Sequence, residues 1–306
     1  MQPFWQDEKG SALVLVAINM VVLLGFAALV IDVGFLAASR HKLLNAVDAA
    51  ALAGARELPS NPDRARAVAA EYASLNGAES IEVEVSPDNT SLTVKARKEL
   101  FYFLAPVLGF HRGEAQAQAT ARIGGIRAVK KAAPLAVPWQ DYQFGAKYTL
   151  KQAAGQESPL GPGNYSALSL GGTGANKYED NLKYGYPGWL KVGDVVPTET
   201  GNMSHPTRRA IEYRIALCQH SPPCTPEQFE PDCPRILIVP VYDSTTVEEH
   251  QVTSITIIGF AAFLVEQVKG EGNQNYIEGY FIRTIVAGEA DPQQPDYGLE
   301  GIKLVK

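Results

Sequence analysis

Three cysteines and a histidine crowd one short stretch: Cys218-Gln219-His220, then Cys224 and Cys233. Three thiols and an imidazole can complete a tetrahedral zinc shell. The same thiols can also form one disulfide with a cysteine left over, or remain inert. Their spacing is irregular, with no pair of two-residue knuckles, so counting leaves these alternatives open. A catalytic cysteine–histidine couple needs a third, orienting group, and the sequence identifies none.

Other chemistry-bearing patterns are sparse. The chain has no His-Glu-x-x-His metal helix and no Gly-x-Ser-x-Gly nucleophile elbow. Gly171-Gly172-Thr173-Gly174 and Lys177 lack phosphate-loop spacing and read as a flexible turn. The polar run Thr198 to Ser204 precedes a helix start, a place that can hold an anion but more commonly caps the helix. The acids Asp194, Glu199, Asp243, Glu248 and Glu249 cannot be grouped by spacing. No catalytic residue and no cofactor is assigned, and the chain is not expected to be an enzyme.

With 306 residues, 46% apolar and 20% charged, the chain can build two modest domains besides an anchor. A net charge of −6 with only short basic clusters excludes nucleic acid as the main partner.

The stretch that positions everything else runs from Gly10 to Leu58. Ala12 to Ile31 carries one polar side chain, Asn19, and no charge. At ~1.5 Å per residue it makes a helix of roughly 30 Å, the thickness of a bilayer's hydrocarbon core. Beyond Asp32 and Arg40-His41-Lys42 the pattern stays helical but turns amphipathic and Ala-rich. It reads as one helix, half in lipid and half in water. Asn19 and Asp32 are polar groups expected to face protein. The small residues Gly34 and Ala38, together with Asn19, are the expected contacts to a partner's membrane helix. Ala46, Ala50 and Gly54 offer a second small-residue face for assembly, with packing on the chain's own domain as the alternative. The span is too long for a secretory signal core.

The charged Asp7-Glu8-Lys9-Gly10 lead-in, the run ending Leu29-Val30-Ile31-Asp32-Val33-Gly34, and the segment Leu43 to Ala55 (LLNAVDAAALAGA) resemble the N-terminal module of TadE/TadG-like Flp pilus-assembly proteins. The resemblance covers residues 7–57 and continues more loosely to about residue 125. It implies a membrane-anchored component of a pilus-assembly or secretion apparatus, single-pass in the cytoplasmic membrane, with the C-terminal bulk extracytoplasmic. The positive-inside count alone, Arg40 and Lys42 against Lys9, points the other way. A prepilin-type leader would be cleaved after Gly10, but Leu15 stands where pilins carry glutamate, so an uncleaved anchor is expected. Implied partners are the membrane and other pilus-assembly or pseudopilin subunits, with cell-surface proteins or glycans as further candidates. Export makes a disulfide among Cys218, Cys224 and Cys233 the expected state, without metal. The adhesion motif Asp-x-Ser-x-Ser of some related proteins is broken at Asp243-Ser244-Thr245-Thr246. The rival function is a tethered exported hydrolase acting on cell-envelope material, or a surface adhesin.

The expected fold class is α+β: a transmembrane helix (11–39) continuing into a small α+β module (40–125), then a linker (126–133) and a β-rich domain (134–306). After Pro59, Asn61-Pro62-Asp63 signals a capped helix with Ala65, Val68, Tyr72 and Leu75 on its apolar face. Alternation over Ile81–Val85 and Leu92–Ala96 around Pro87-Asp88-Asn89-Thr90 predicts a hairpin. Phe101 to Phe110 predicts a helical turn capped near Gly109, and Glu114 to Ile123 a strand. In the β-rich part, strands are expected at 135–138, 147–150, 165–170, 236–242, 254–264, 276–284 and 302–305, with one helix opening at Pro206. They suggest a sandwich or barrel-like domain.

Overall fold

The computed structural model describes residues 8–150, 167–199, 203–248, 251–270 and 275–305. The chain forms two compact units: residues 1–121 with 304–306, and residues 122–303.

In the first unit, α1 (Glu8–Ala55) is one unbroken helix of 48 residues. Its lipid-length half is bare: Leu13, Val16, Val21, Leu23, Phe26 and Val30 are each more than 60% exposed. Among the described residues it is the one helix long and apolar enough to cross a membrane. Its second half is buried at Leu43, Ala46, Val47, Ala50, Ala51 and Ala55. After a turn comes α2 (Pro62–Leu75), with Pro62 in its first turn and Asp63 near the positive helix end. Asn61 occupies the cap position but makes no side-chain capping bond.

The buried stripe of α2 is Ala65, Ala69 and Ala73, whereas Tyr72 and Leu75 of the expected apolar face are exposed. The reason is close helix approach. A Cβ added to Gly54 of α1 would lie 2.7 Å from the Ala65 carbonyl oxygen and 2.8 Å from the Ala69 Cβ. Only an alanine stripe fits against such a surface; larger side chains turn outward.

The expected hairpin pairs β1 (Ser80–Val85) with β2 (Ser91–Phe101) in antiparallel register, Val83 opposite Val94. Leu92, Val94 and Ala96 point inward. Asn89 takes a positive φ of 54° in the turn, where Asp88 accepts bonds from Ser86 and Thr90. A 3-10 turn (Ala105–Leu108) then leads, through Gly109 at φ 89°, into β3 (Arg112–Val129).

β3 runs straight through the stretch expected as a boundary. Residues 126–129 of the expected linker are strand, the two units divide at 121/122, and Gly124 and Gly125 also allow close approach. A Cβ on Gly124 would meet the Asp291 backbone at 2.6 Å.

The second unit continues with β4 (Val137–Pro138), β5 (Lys147–Thr149), α3 (Ala175–Tyr184), β6 (Leu190–Lys191), β7 (Val195–Pro197) and α4 (Ser204–Leu217). Then follow β8 (Ile236–Glu248), β9 (Gln251–Lys269), β10 (Tyr276–Ile282), β11 (Thr284–Ile285), β12 (Glu289–Asp291) and β13 (Leu299–Val305). β12 and β6 flank the end of β3, both pairing at Ala128, and β11 pairs β13 in parallel. A second sheet has the order β4-β8-β9-β10-β5, with β7 also on β9. Of the expected strand at 165–170, residues 165–166 lie outside the described residues, and Ala167 and Leu168 make isolated bridges.

Central strand β9 is buried on both faces, which accounts for its continuous apolar run. Ala262 and Leu264 share a cluster with Ile126, Val129, Leu190 and Leu299. Ala261, Phe263 and Val265 share another with Tyr178 and Leu182 of α3 and Ala210 and Ile211 of α4. The architecture is α+β, as expected, but α3 was not foreseen. Its inward residues include Glu179 and Asn181, whose polarity hides them from a periodicity reading. Glu179 is satisfied by Arg209 and Lys183, and Asn181 donates to the Leu170 carbonyl at 2.9 Å.

Gly54→Val is expected to destabilise the first unit by about 1–3 kcal/mol or more through overpacking. Gly25→Val, at a site with nothing within 4 Å, should leave stability unchanged. Thermal unfolding of the detergent-purified full chain compares the two.

Candidate functional site

The site begins with one carboxylate. Asp32 directly follows the last apolar residue of the bilayer-length run, and it is only 3% exposed although its neighbours Ile31 and Val33 are bare. Its Oδ1 accepts the backbone N–H of Phe103 at 2.8 Å. Its Oδ2 accepts those of Leu104 at 3.0 Å and Ala105 at 2.5 Å. These donors open the 3-10 turn at the tip of the β2–β3 hairpin, where a helical start leaves N–H groups without internal partners. The carboxylate therefore caps the turn and fastens the tip to α1. Phe35 meets Phe103 edge-on at 5.3 Å between ring centroids. A cleft of about 230 Å³ beside this contact is lined by Ala28, Leu29, Asp32, Tyr102, Ala105 and Phe110.

The tip is apolar and outward. Phe101, Phe103, Val107 and Phe110 are each more than 60% exposed. Most of its backbone N–H groups nevertheless have partners. Tyr102 donates to His111 O, Val107 to Leu104 O, Gly109 to Pro106 O and Phe110 to Ala105 O; Pro106 has no donor to place. Charge resumes only at its base, where the Arg112 guanidinium lies 5.1 Å from the Phe101 ring centre and pairs with Glu99 at 3.0 Å.

The expected partner-helix contacts remain open. Gly34 and Ala38 are exposed, and a Cβ on Gly34 meets nothing within 4 Å. Asn19 is exposed too, its amide donating to the Leu15 carbonyl of its own helix at 2.8 Å. Ala46, Ala50 and Gly54 have a different fate. They are buried in the chain's own module, and α2 occupies the surface beside Gly54 that an assembly partner was expected to use.

In the second unit, Cys218, Cys224 and Cys233 stand as free thiols where a disulfide is expected. The Cys218 and Cys233 sulfurs lie 3.6 Å apart against about 2.05 Å for a bond. The ring of His220 joins the three sulfurs, all four ligand atoms within 4.8 Å of one another. Elsewhere, the candidate acids are dispersed. Asp194 accepts the Lys191 N–H at 2.8 Å in a turn, beside a shallow cleft lined by Tyr186 and Trp189. Buried Glu199 accepts the Gly174 N–H ahead of α3, and Asp243 is exposed. Glu249 and the Glu248 side chain lie outside the described residues, as does part of the polar loop before α4. The sequence marks Asp32 as a group expected to face protein, whereas its partner, the 101–110 tip, carries in sequence only the signal of a helical turn.

Asp32→Ala is expected to release the tip. Hydrogen exchange at the Phe103–Ala105 amides should rise at least about tenfold, given charge-assisted bonds of roughly 1.5–3 kcal/mol. The β1–β2 amides should keep their protection, and Asp32→Glu should fall between wild type and Ala.

Residues 10–57 match the family model described as putative Flp pilus-assembly TadE/G-like. No curated protein and no solved structure matches the chain. The matched residues are the apolar helix and its Ala-rich continuation, ending before α2. Over this segment the chain is similar to TadE/TadG-like proteins, and the segment fits a membrane-anchored pilus-assembly component.

Proposed function

We propose that the protein is a membrane-anchored, non-catalytic component of a Tad/Flp-type pilus-assembly or secretion apparatus, single-pass, with its C-terminal bulk extracytoplasmic as an interaction domain. The observation that carries this is the clasp at Asp32. A bare apolar helix holds a bare apolar hairpin tip at the depth where its hydrocarbon-length run ends. In lipid, backbone polar groups must be satisfied within the protein, and Asp32 and the turn's own bonds do this for most of the tip's N–H groups. Its phenylalanines suit the boundary between acyl chains and headgroups, where amphipathic and aromatic elements settle. The basic groups Arg40, His41, Lys42, His111 and Arg112 follow in sequence on the polar side of both elements. The first unit thus rests on the membrane at two places, helix and tip, which restricts its tilt.

The open small-residue face at Gly34 and Ala38 supports assembly with the membrane helix of another pilus-assembly or pseudopilin subunit, since small residues let helices approach closely.

The expected outcomes separate these statements. Val107→Trp in vesicles should show blue-shifted emission quenched by brominated lipid; emission like that of free tryptophan would remove the lipid contact. Gly34→Leu and Asn19→Leu should reduce co-isolation of partner subunits several-fold without changing the melting temperature. An epitope tag after Lys306 should be lost when intact cells or spheroplasts meet a non-permeant protease. A tag that survives in spheroplasts overturns the extracytoplasmic placement and leaves the anchor intact.

A further inference from the structure

The connection from α4 to β8, residues 218–235, has no helix or strand of its own. Connections longer than roughly 12–15 residues are uncommon in compact domains unless something organises them. Its apolar content besides the cysteines and prolines is Phe229. Yet it returns on itself so that both ends and the middle meet. Cys218 caps the end of α4, Cys233 stands three residues before β8, and Cys224 comes between.

We infer that Cys218, His220, Cys224 and Cys233 form a structural zinc site. Tetrahedral zinc with Zn–S near 2.3 Å and Zn–N near 2.05 Å requires sulfur–sulfur edges of about 3.8 Å and sulfur–nitrogen edges of about 3.5 Å. The cluster has Cys218 Sγ to Cys233 Sγ at 3.6 Å, Cys218 Sγ to His220 Nδ1 at 3.7 Å and Cys224 Sγ to His220 Nδ1 at 3.2 Å. Four protein ligands fill the shell and leave no open position, the pattern of a structural centre. Soft sulfur donors favour zinc over magnesium or calcium.

The surroundings are those a thiolate site needs. The backbone N–H of His220 donates to the Cys218 sulfur, and that of Arg235 to the Cys233 sulfur, each two residues after its cysteine. The Arg235 side chain also reaches the Cys218 sulfur and the Cys224 carbonyl, the latter at 3.2 Å. Three thiolates, a neutral imidazole and a divalent ion carry one negative charge, which the guanidinium offsets. Outer partners of this kind orient ligands and tune affinity. Cys224 and Cys233 belong to the buried cluster with Ile255, Phe260 and Leu264, so the metal would fasten the connection to the core. Ligation also employs all three cysteines, whereas a disulfide strands one.

The full chain, purified in mild detergent under reducing conditions, should contain about one zinc per polypeptide by elemental mass spectrometry. Stripping with a chelator and adding cobalt should give sulfur-to-cobalt charge transfer and the visible bands of a tetrahedral site. Removing a ligand by Cys224→Ser or His220→Ala should weaken zinc at least about tenfold, the lower end of what even outer-shell changes cost. Glu227→Gln, at an exposed residue of the same connection, should keep it. Because a ligand variant can fail to fold, the wild-type metal content and cobalt spectrum decide independently. A metal-free protein with three alkylatable thiols overturns the site. So does a metal-free protein two hydrogens lighter than the sequence mass, which would mean a disulfide.

Discussion

A carboxylate at the end of a hydrocarbon-length helix and a hairpin tip full of phenylalanine pose opposite problems. The charge is costly near lipid unless its lone pairs are filled. The tip's opening N–H groups are costly there unless something accepts them. Asp32 meets Phe103, Leu104 and Ala105, and each solves the other's deficit. The rest of the first unit follows from that pairing. The chain must travel from the core to the membrane-proximal side of α1 and back, which β2 and β3 accomplish as long strands. Their inner positions, Leu92, Val94, Ala96, Ala115 and Ala119, bury the module, while Phe101 and Phe103 at the near end do not.

How much of this can be read from residues depends on the range of the interaction. The long helix, the hairpin and the turn ending at Gly109 rest on local patterns, and they stand where those patterns put them. The α2 face does not, because the preference of Val68, Tyr72 and Leu75 for burial is overruled by how near Gly54 lets the helices come. The strand through Gly124-Gly125 was obscured for a related reason. Glycine marks a boundary when the chain must bend and a close contact when another backbone presses in, and only the neighbour distinguishes them. At α3 buried Glu179 and Asn181 draw partners from α4 and from the loop before α3 as well as from Lys183, so apolar periodicity within α3 does not announce it.

The cysteine cluster shows the same limit at a site. Its residues span 218 to 233 with unequal gaps, and their convergence depends on the end of α4 lying beside the start of β8. Arg214 contributes to that meeting by donating to the Leu182 carbonyl at 2.6 Å and the Pro234 carbonyl at 2.7 Å. Regular knuckle spacing would have advertised a metal site from the sequence. Here the tertiary fold supplies what the spacing lacks, and the chemistry of the donors was the legible part.

The small residues of α1 divide by the same reasoning. Successive residues turn about 100° around a helix, so Gly34 lies roughly 200° from Asp32, on the side away from the clasped tip. Farther along, Ala46, Ala50 and Gly54 are covered by the chain's own module. A helix whose Asp32 side holds its own hairpin and whose Ala-rich half holds its own α2 still leaves the small residues Gly34 and Ala38 exposed. A Cβ at Gly34 meets nothing within 4 Å among the described residues, so no close neighbour there accounts for its smallness. At Gly54 the internal cause is plain, a carbonyl oxygen 2.7 Å from where a Cβ would stand. Two glycines of one helix thus carry opposite meanings, one closing the fold and the other leaving it open to a second helix.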